Sequence, residues 1–95
     1  MKIDFTKFPV WGSIDKSFVV EQDVSKQLAD AIYMRVPGMA AHNLAHKIYE
    51  SNGEADYDDS EVAILRNSMD MYTPIFIDSL NDFLDRNENI NYKNI

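Results

Sequence analysis

The stretch DVSKQLADAIYMRVPGMAAHNLAHKIYESNG, residues 23–53, decides the fold, because its non-polar residues recur at helical spacing on both sides of a Pro-Gly pair. Asp23 is a favoured helix N-cap residue, and Pro37 disfavours helical geometry in the residue before it. We therefore expect one helix over 23–36 and a second over 39–51. The non-polar positions are Val24, Leu28, Ala31, Ile32 and Val36, then Ala40, Ala41, Leu44, Ala45 and Ile48.

The chain before this stretch, residues 2–20, is predicted to be extended. Ile3 and Phe5 alternate with polar residues, which is the period of a strand. The non-polar run Phe18-Val19-Val20 predicts a second short strand. Two short strands are marginal alone, so we expect them to lie on the helices or to pair with another chain.

The chain after the stretch begins with Gly53, which is expected to end the second helix in a left-handed conformation. An acidic loop over 54–59 follows, and Asp58 with Glu61 predicts a capping box at the start of a third helix. Pro74 after a threonine predicts a break or strong kink and a new helix. The third helix has its non-polar stripe at Val62, Leu65, Met69 and Tyr72, and the last at Ile75, Phe76, Ile77, Leu80, Phe83 and Leu84.

Together these patterns predict a mainly α fold of three to four packed helices with a short N-terminal extended or β-hairpin element. The non-polar face of the last helix is wide, so that helix is expected to be the centre of the domain or part of a homodimer interface. We expect a single domain over 1–86 and, from the asparagine-rich composition, a flexible tail over 87–95.

The length of 95 residues suits one domain, and the formal charge of −7 is distributed unevenly. Residues 1–53 hold six acids and six bases, whereas residues 54–88 hold ten acids and two bases. This asymmetry argues against a phosphate-backbone ligand and permits a basic protein partner, although an acidic surface also serves solubility. Without cysteine, a signal-peptide run or a membrane-length apolar stretch, the sequence predicts a cytoplasmic protein.

The acidic half supplies the candidate partner-binding residues. On the last helix, acids recur at a spacing that places them in one stripe, and others surround the start of the third helix. Trp11 lies in a turn region, where a tryptophan is either a lid over the core or an exposed anchor for a partner. The candidates are Asp56, Asp58, Asp59, Asp78, Asp82, Asp85 and Trp11.

A histidine pair is the candidate metal site. His42 and His46 are four residues apart on the second helix and share a face, so two imidazoles could chelate zinc or nickel. The pair lacks an evident third ligand and the adjacent glutamate of metalloprotease helices. We therefore predict no metal and no cofactor. The same helix has Lys47 as its only base, too little positive charge for direct nucleic-acid binding.

Three segments carry a resemblance that covers about residues 2–85 in order. They are Lys2-Ile3-Asp4-Phe5 with Phe8-Pro9-Val10, then Leu28-Ala29-Asp30-Ala31-Ile32-Tyr33, and then Leu44-Ala45-His46-Lys47-Ile48-Tyr49-Glu50-Ser51-Asn52-Gly53. With the acidic loop and the final apolar helix, this layout is similar to small uncharacterised proteins encoded by bacteriophages and integrated elements of bacteria. The resemblance implies an accessory protein in a bacterial host cell and brings no catalytic residues.

We therefore expect a non-enzymatic phage or mobile-element protein that acts by protein–protein interaction. In its sharpest form it is an acidic inhibitor of a host nucleic-acid-acting defence protein. One alternative is a structural or assembly role, such as a tail or head chaperone, which self-association through Ile75, Phe76, Leu80 and Phe83 would favour. The other is a small metal-dependent enzyme that uses His42 and His46. Neither a membrane nor direct nucleic-acid contact is expected.

Overall fold

The computed structural model describes the backbone of residues 1–93 and the side chains of residues 1–87. The helices are α1 (Ser25–Arg35), α2 (Met39–Glu50), α3 (Asp59–Asn67) and α4 (Pro74–Lys93), and the strands are β1 (Lys2–Ile3), β2 (Phe8–Trp11), β3 (Val19–Gln22) and β4 (Ala55–Asp56). This confirms the prediction of a mainly α fold of three to four helices with a short N-terminal extended or hairpin element: the described residues form four α-helices and a hairpin. Among the described residues, no helix combines the length and the apolar character needed to cross a membrane.

The predicted second strand agrees with β3, but the strand expected at Ile3 and Phe5 is corrected. Phe5 begins a 3₁₀ turn (Phe5–Lys7), because the Asp4 carboxylate accepts from Thr6 N–H at 2.9 Å and turns the chain.

Strands β2 and β3 form an antiparallel hairpin. Val10 lies opposite Val20, and Trp11 lies opposite Val19. Phe8 and Val10 are buried, whereas every residue of β3 is exposed. The hairpin therefore rests on the domain through β2 and presents β3 to solvent.

Strand β4 corrects the prediction of an acidic loop over 54–59. Ala55 pairs with Ile3 and Asp56 pairs with Lys2, so this segment is tied to the N-terminal strand. A two-residue strand has no periodic pattern of its own, and its partner lies at the far end of the sequence. The local composition therefore could not reveal it.

The N-cap of α1 lies one residue after the predicted position. Val24, not Asp23, is the N-cap residue, and the carboxylate of Asp23 accepts hydrogen bonds from Ser25 N–H at 3.0 Å and Ser25 Oγ–H at 2.6 Å. Helix α1 ends two residues before Pro37, as that residue dictates. Gly38, with φ of 104°, then turns the chain into α2.

The end of α2 corrects the expectation for Gly53. Of the glycines, Gly38 alone has a positive φ, so no left-handed glycine ends α2. The helix stops at Glu50, and the Ser51 hydroxyl donates to Ile48 O at 2.7 Å. A side-chain hydroxyl thus satisfies a terminal carbonyl that a glycine cap would otherwise have satisfied through its backbone.

The two helix starts in the second half are confirmed. Asp58 Oδ1 accepts from Glu61 N–H at 2.9 Å, and Glu61 Oε1 accepts from Asp58 N–H at 2.9 Å, which completes the capping box. Helix α4 begins at Pro74 in its first turn, and Ile77 N–H donates to Thr73 O at 2.9 Å. The predicted stripe of the third helix is too long: α3 ends at Asn67, and Met69 and Tyr72 lie beyond it, in and after a 3₁₀ turn (Met69–Met71) that leads to Pro74.

Helix α4 packs its wide non-polar face against β2. The Phe8 ring centroid lies 5.0 Å from that of Phe83 and 5.8 Å from that of Phe76, and Leu80 is fully buried. These residues therefore belong to the chain's own core. Of the residues expected in a homodimer interface, Ile75 is the one that is exposed.

Helices α1 and α2 pack against each other through small residues. Ala29 of α1 and Ala41 and Ala45 of α2 are buried, and alanines permit close approach of two helices. Ala40, which was expected on this face, is exposed.

The last helix passes the predicted domain boundary at residue 86, because its backbone is helical to Lys93. The predicted flexible tail over 87–95 stays a prediction. Residues 94 and 95, and the side chains of 88–93, lie outside the described residues.

Candidate partner-binding surface

Trp11 attaches the hairpin to α4. Its backbone N–H donates to Ser79 Oγ at 2.9 Å, and its indole Nε1–H donates to Asp82 Oδ2 at 2.9 Å. The side chain is half-buried, so it covers part of the core while its polar edge reaches the acidic stripe. Trp11 is therefore a lid that adjoins the candidate surface, and its role as an anchor for a partner stays a prediction.

Asp82 is held by two donors from the hairpin. Besides the indole of Trp11, the ammonium of Lys16 lies 3.0 Å from Asp82 Oδ2. The hydrogen bond from Lys16 is the main cause, and that from Trp11 the next, of a pKa for Asp82 below its ordinary value. Lys16 has a φ of 57°, in the left-handed region that few residues other than glycine adopt. The sequence placed Asp82 in the acidic stripe but could not show these donors.

The rest of the α4 stripe divides into a paired and an exposed part. Arg66 of α3 donates to Asp85 Oδ1 at 2.9 Å and to Asn81 Oδ1 at 3.4 Å. Asp78 is exposed, and no hydrogen bond or ion pair involves its side chain among residues 1–87. Asp82 and Asp85 therefore help to hold α4 against its neighbours, which leaves Asp78 the most available carboxylate of the stripe.

The other acidic candidates lie around β4 and the start of α3. Asp56 accepts from the Met1 amine at 3.0 Å, which is the main cause of a pKa below the ordinary value for Asp56. Asp58 caps α3, and its pKa is lowered first by the hydrogen bond from Ser60 and then by that from Glu61. Asp59 is exposed at the first position of α3, where a carboxylate favours the helix dipole. This second acidic region does not share an element with the α4 stripe.

The exposed strand β3 is the feature whose exposure the sequence did not reveal. The run Phe18-Val19-Val20 predicted a strand, and its side chains are 53%, 48% and 42% exposed. Such a run would normally pack against the core. Here β2 fills that role, and β3 is left with a non-polar surface in water.

The hydrogen-bond register shows which way the backbone of β3 faces. Gly12 N–H donates to Phe18 O at 2.9 Å, so this opposed pair is hydrogen-bonded. Because hydrogen-bonded and non-hydrogen-bonded pairs alternate in an antiparallel ladder, Val19 and Glu21 belong to the non-bonded pairs. Their N–H and C=O groups point away from β2. Within the described residues β3 pairs with β2 alone, so this outer edge has no strand beside it.

The ring of Phe18 lies over Gly12, so a side chain at position 12 would force that ring to move. A Cβ atom on Gly12 would lie 1.9 Å from Phe18 Cε2, which is far inside van der Waals contact. The aromatic ring thus lies directly over the glycine backbone across the hairpin. The absence of a side chain at this position sets where Phe18 rests.

A groove of about 500 Å³ opens beside β3. One wall is the inner face of the hairpin, and the others are α1 and the chain around the start of α4. Its lining carries no charged side chain: it consists of Val10, Trp11, Gly12, Phe18, Val20, Gln22, Val24, Gln27, Leu28, Ala31, Met71, Tyr72, Thr73, Ile75 and Phe76. The groove is therefore suited to non-polar side chains, with a few amides and hydroxyls at hand.

The histidine pair lies on the exposed face of α2. The His42 and His46 ring centroids are 4.6 Å apart, and that of Tyr33 on α1 lies 5.8 and 5.7 Å from them. Among the described residues, no three histidine, cysteine, aspartate or glutamate side chains are grouped closely enough to hold a metal ion. The two imidazoles form a surface ring cluster with Tyr33, and a metal there would have two protein ligands.

Comparisons with models of protein families, with curated proteins and with solved structures find no match for this chain. The resemblance to phage and integrated-element proteins therefore stays a prediction. Its residues are largely core and turn positions, among them Ile3, Phe8 and Leu44.

Proposed function

We propose that this chain is a non-enzymatic protein that acts by binding a partner protein with a basic surface. One observation carries the proposal: a non-polar and an acidic surface adjoin through a single residue. Val19 of the exposed strand lies opposite Trp11, and Trp11 donates to Asp82 of the acidic stripe. A non-polar patch beside a charged rim is the arrangement of a protein interface.

The distribution of charge and the exposed non-polar patch support the same proposal. The excess of acids in residues 54–88 favours encounter with a basic surface and speeds association at low salt. The patch of Phe18, Val19 and Val20, which is 53%, 48% and 42% exposed, supplies non-polar area that electrostatics alone would lack. Attraction through charge and affinity through burial would thus come from neighbouring parts of one surface.

Quantitative capture from a lysate of cells that carry the gene tests this function. We expect the captured protein to have a basic surface, and its capture to fall as salt rises. Asp78→Lys should weaken capture, because Asp78 is an exposed carboxylate of the acidic stripe on α4. Asp30→Lys, the same change of charge on α1, is the control and should have a smaller effect. If the amount of captured protein changes neither with salt nor with Asp78→Lys, the proposal that acidic residues attract a basic partner is wrong.

Asp82 and Asp85 are less suitable for that test. Reversal of either charge would also break the bonds to Lys16 and Trp11, or to Arg66. A weaker capture would then report damage to the fold as well as loss of attraction. Asp78 makes no such bond and acts on Lys16 through its charge alone, so a stability measurement on Asp78→Lys shows whether the fold is preserved.

In its sharper form, the partner uses a basic groove to bind nucleic acid, and this chain occupies that groove. Labelled duplex DNA bound to the captured partner should then be released as the chain is added, with a matching fall in fluorescence anisotropy. Simultaneous binding of chain and DNA would remove the inhibitor version. It would leave the interaction itself in place.

A further inference from the structure

We propose that the outer edge of β3 is a strand-addition site, which takes an extended, non-polar and basic segment of a partner protein beside Val19–Gln22. This inference rests on the proposed function and names where the partner docks and in what conformation. It joins three observations: an unpaired strand edge, a non-polar groove next to it, and acidic side chains on the outer face of β3.

The first requirement for strand addition is a row of unpaired backbone groups, and the outer edge of β3 provides it. The N–H and C=O groups of Val19 and Glu21 face away from β2, at the two-residue spacing that a further antiparallel or parallel strand would meet. Natural proteins usually protect such an edge with charges, proline or a covering element. Here Glu21 is the one charged residue of β3, and within the described residues no element pairs with the outer edge.

The side chains supply the second requirement. In a strand, alternate residues face opposite sides, so Val20 and Gln22 share the inner face of β3, and Phe18, directly before the strand, continues that face. All three line the groove. A strand added at the edge would direct every second side chain toward that same face. Non-polar side chains at those positions would continue the surface that Phe18 and Val20 begin.

The third requirement is complementary charge, and it indicates that the added segment of the partner is basic. Glu21 lies on the outer face of β3, and Asp23 follows at its end; both are exposed. Lys16, the basic residue nearest the hairpin tip, is already paired with Asp82 at 3.0 Å. A segment with non-polar residues toward the groove and lysine or arginine between them therefore fits both faces, whereas an acidic segment would be repelled by Glu21.

The test uses a nine-residue peptide with valine at alternate positions and lysine or threonine between them. Its matched control replaces each lysine by glutamate. We measure affinity by titration of the ¹⁵N-labelled protein and follow each backbone amide. We expect the lysine peptide to bind at least about tenfold more tightly than the glutamate peptide, with the largest shifts over residues 18–24.

A proline substitution isolates the strand edge. Glu21 N–H points outward and makes no bond to β2, so Glu21→Pro removes a docking donor while the hairpin bonds remain. Glu21→Ala is the matched variant, since it removes the same charge but keeps the N–H group. We expect at least about a tenfold loss of peptide affinity for Glu21→Pro and a loss of only a few fold for Glu21→Ala. Circular dichroism and the urea midpoint report whether each variant is folded.

The possible outcomes distinguish failure of the strand-addition site from failure of the proposed partner-binding function. Peptide binding that shifts α3 and α4 amides but not 18–24, or that tolerates Glu21→Pro, overturns strand addition and leaves the proposed function standing. No binding up to millimolar peptide also overturns it, while lysate capture tests the function independently. A dimer in light scattering that Glu21→Pro dissociates would show that a second copy occupies the edge, which likewise overturns the assignment to a partner.

Discussion

The indole Nε1–H of Trp11 donates to Asp82 Oδ2 at 2.9 Å and so joins the N-terminal hairpin to the last helix. The same carboxylate receives the Lys16 ammonium at 3.0 Å. One acidic side chain thus positions both the tryptophan and the tip of the hairpin. Because β3 follows that tip, the exposed non-polar strand is held beside the acidic stripe by this contact.

Asp82→Ala tests the structural role of that carboxylate. It leaves two donors without their acceptor, and because Asp82 is partly exposed we expect a loss of about 1 kcal/mol in the free energy of unfolding. Asp78→Ala, one turn earlier on α4, should change it by less than about 0.5 kcal/mol. Urea unfolding followed by tryptophan fluorescence measures both. Equal effects of the two variants would contradict the account.

The stabilisation that ionised Asp82 gives to the folded chain should disappear in acid. Its pKa is lowered in the folded chain from the ordinary 3.8, first by Lys16 and then by Trp11, so the folded state favours the ionised form. The stabilisation is therefore present above about pH 4 and is lost as the pH falls through the lowered pKa. The difference in stability between wild type and Asp82→Asn should be equal at pH 7 and 5 and smaller at pH 3. A difference that grows on acidification would refute this assignment.

Two phenylalanines of the hairpin should differ sharply on truncation. Phe8 is fully buried among aromatic rings, so Phe8→Ala is expected to cost about 3–5 kcal/mol. Phe18 is 53% exposed, so Phe18→Ala should cost about 1 kcal/mol or less. The measurement is the urea midpoint of each variant. A large loss for Phe18→Ala would mean that β3 is part of the core and would weaken its assignment as a docking edge.

Tyr72→Phe, unlike the variants above, is not expected to lower the free energy of unfolding. The Oη of Tyr72 is buried without a hydrogen bond of normal geometry among the described residues, and burial, opposed in part by the nearby Ser68 side chain, raises the pKa of Tyr72 to about 12. Removal of an unsatisfied hydroxyl should leave stability unchanged or raise it by about 1 kcal/mol in Tyr72→Phe at pH 7. Since the folded pKa is raised, wild type should also lose stability between about pH 10 and 12, and the variant should lose less. A clear loss of stability in the variant at pH 7 would show that the hydroxyl has a partner.

Features decided by neighbouring residues were predictable from the sequence. The capping box of Asp58 and Glu61, the helix start at Pro74 and the turn after Pro37 each depend on residues a few positions apart. The hydrophobic periodicity gave the helices for the same reason. Local patterns were not sufficient everywhere: the N-cap of α1 is Val24 and not Asp23, and Gly53 does not end α2 in a left-handed conformation.

Features decided by distant residues were not predictable. Strand β4 forms because Ala55 pairs with Ile3. Asp82 is less available to a partner because Trp11 and Lys16, distant in sequence, both donate to its carboxylate. The exposure of β3 follows from which strand of the hairpin α4 covers, and both strands are non-polar in sequence. The candidate surface was therefore located only in part: the acids were identified, but the strand edge and the groove beside it were not.

Amide hydrogen exchange of the chain, alone and in complex with the captured partner, tests the central claim most directly. If the partner covers β3 and the adjoining stripe of α4, exchange should slow over residues 18–22 and at the first turns of α4, and α2 should be unaffected. Protection confined to α2 around His42 and His46, with residues 18–22 exchanging as in the free chain, would contradict it.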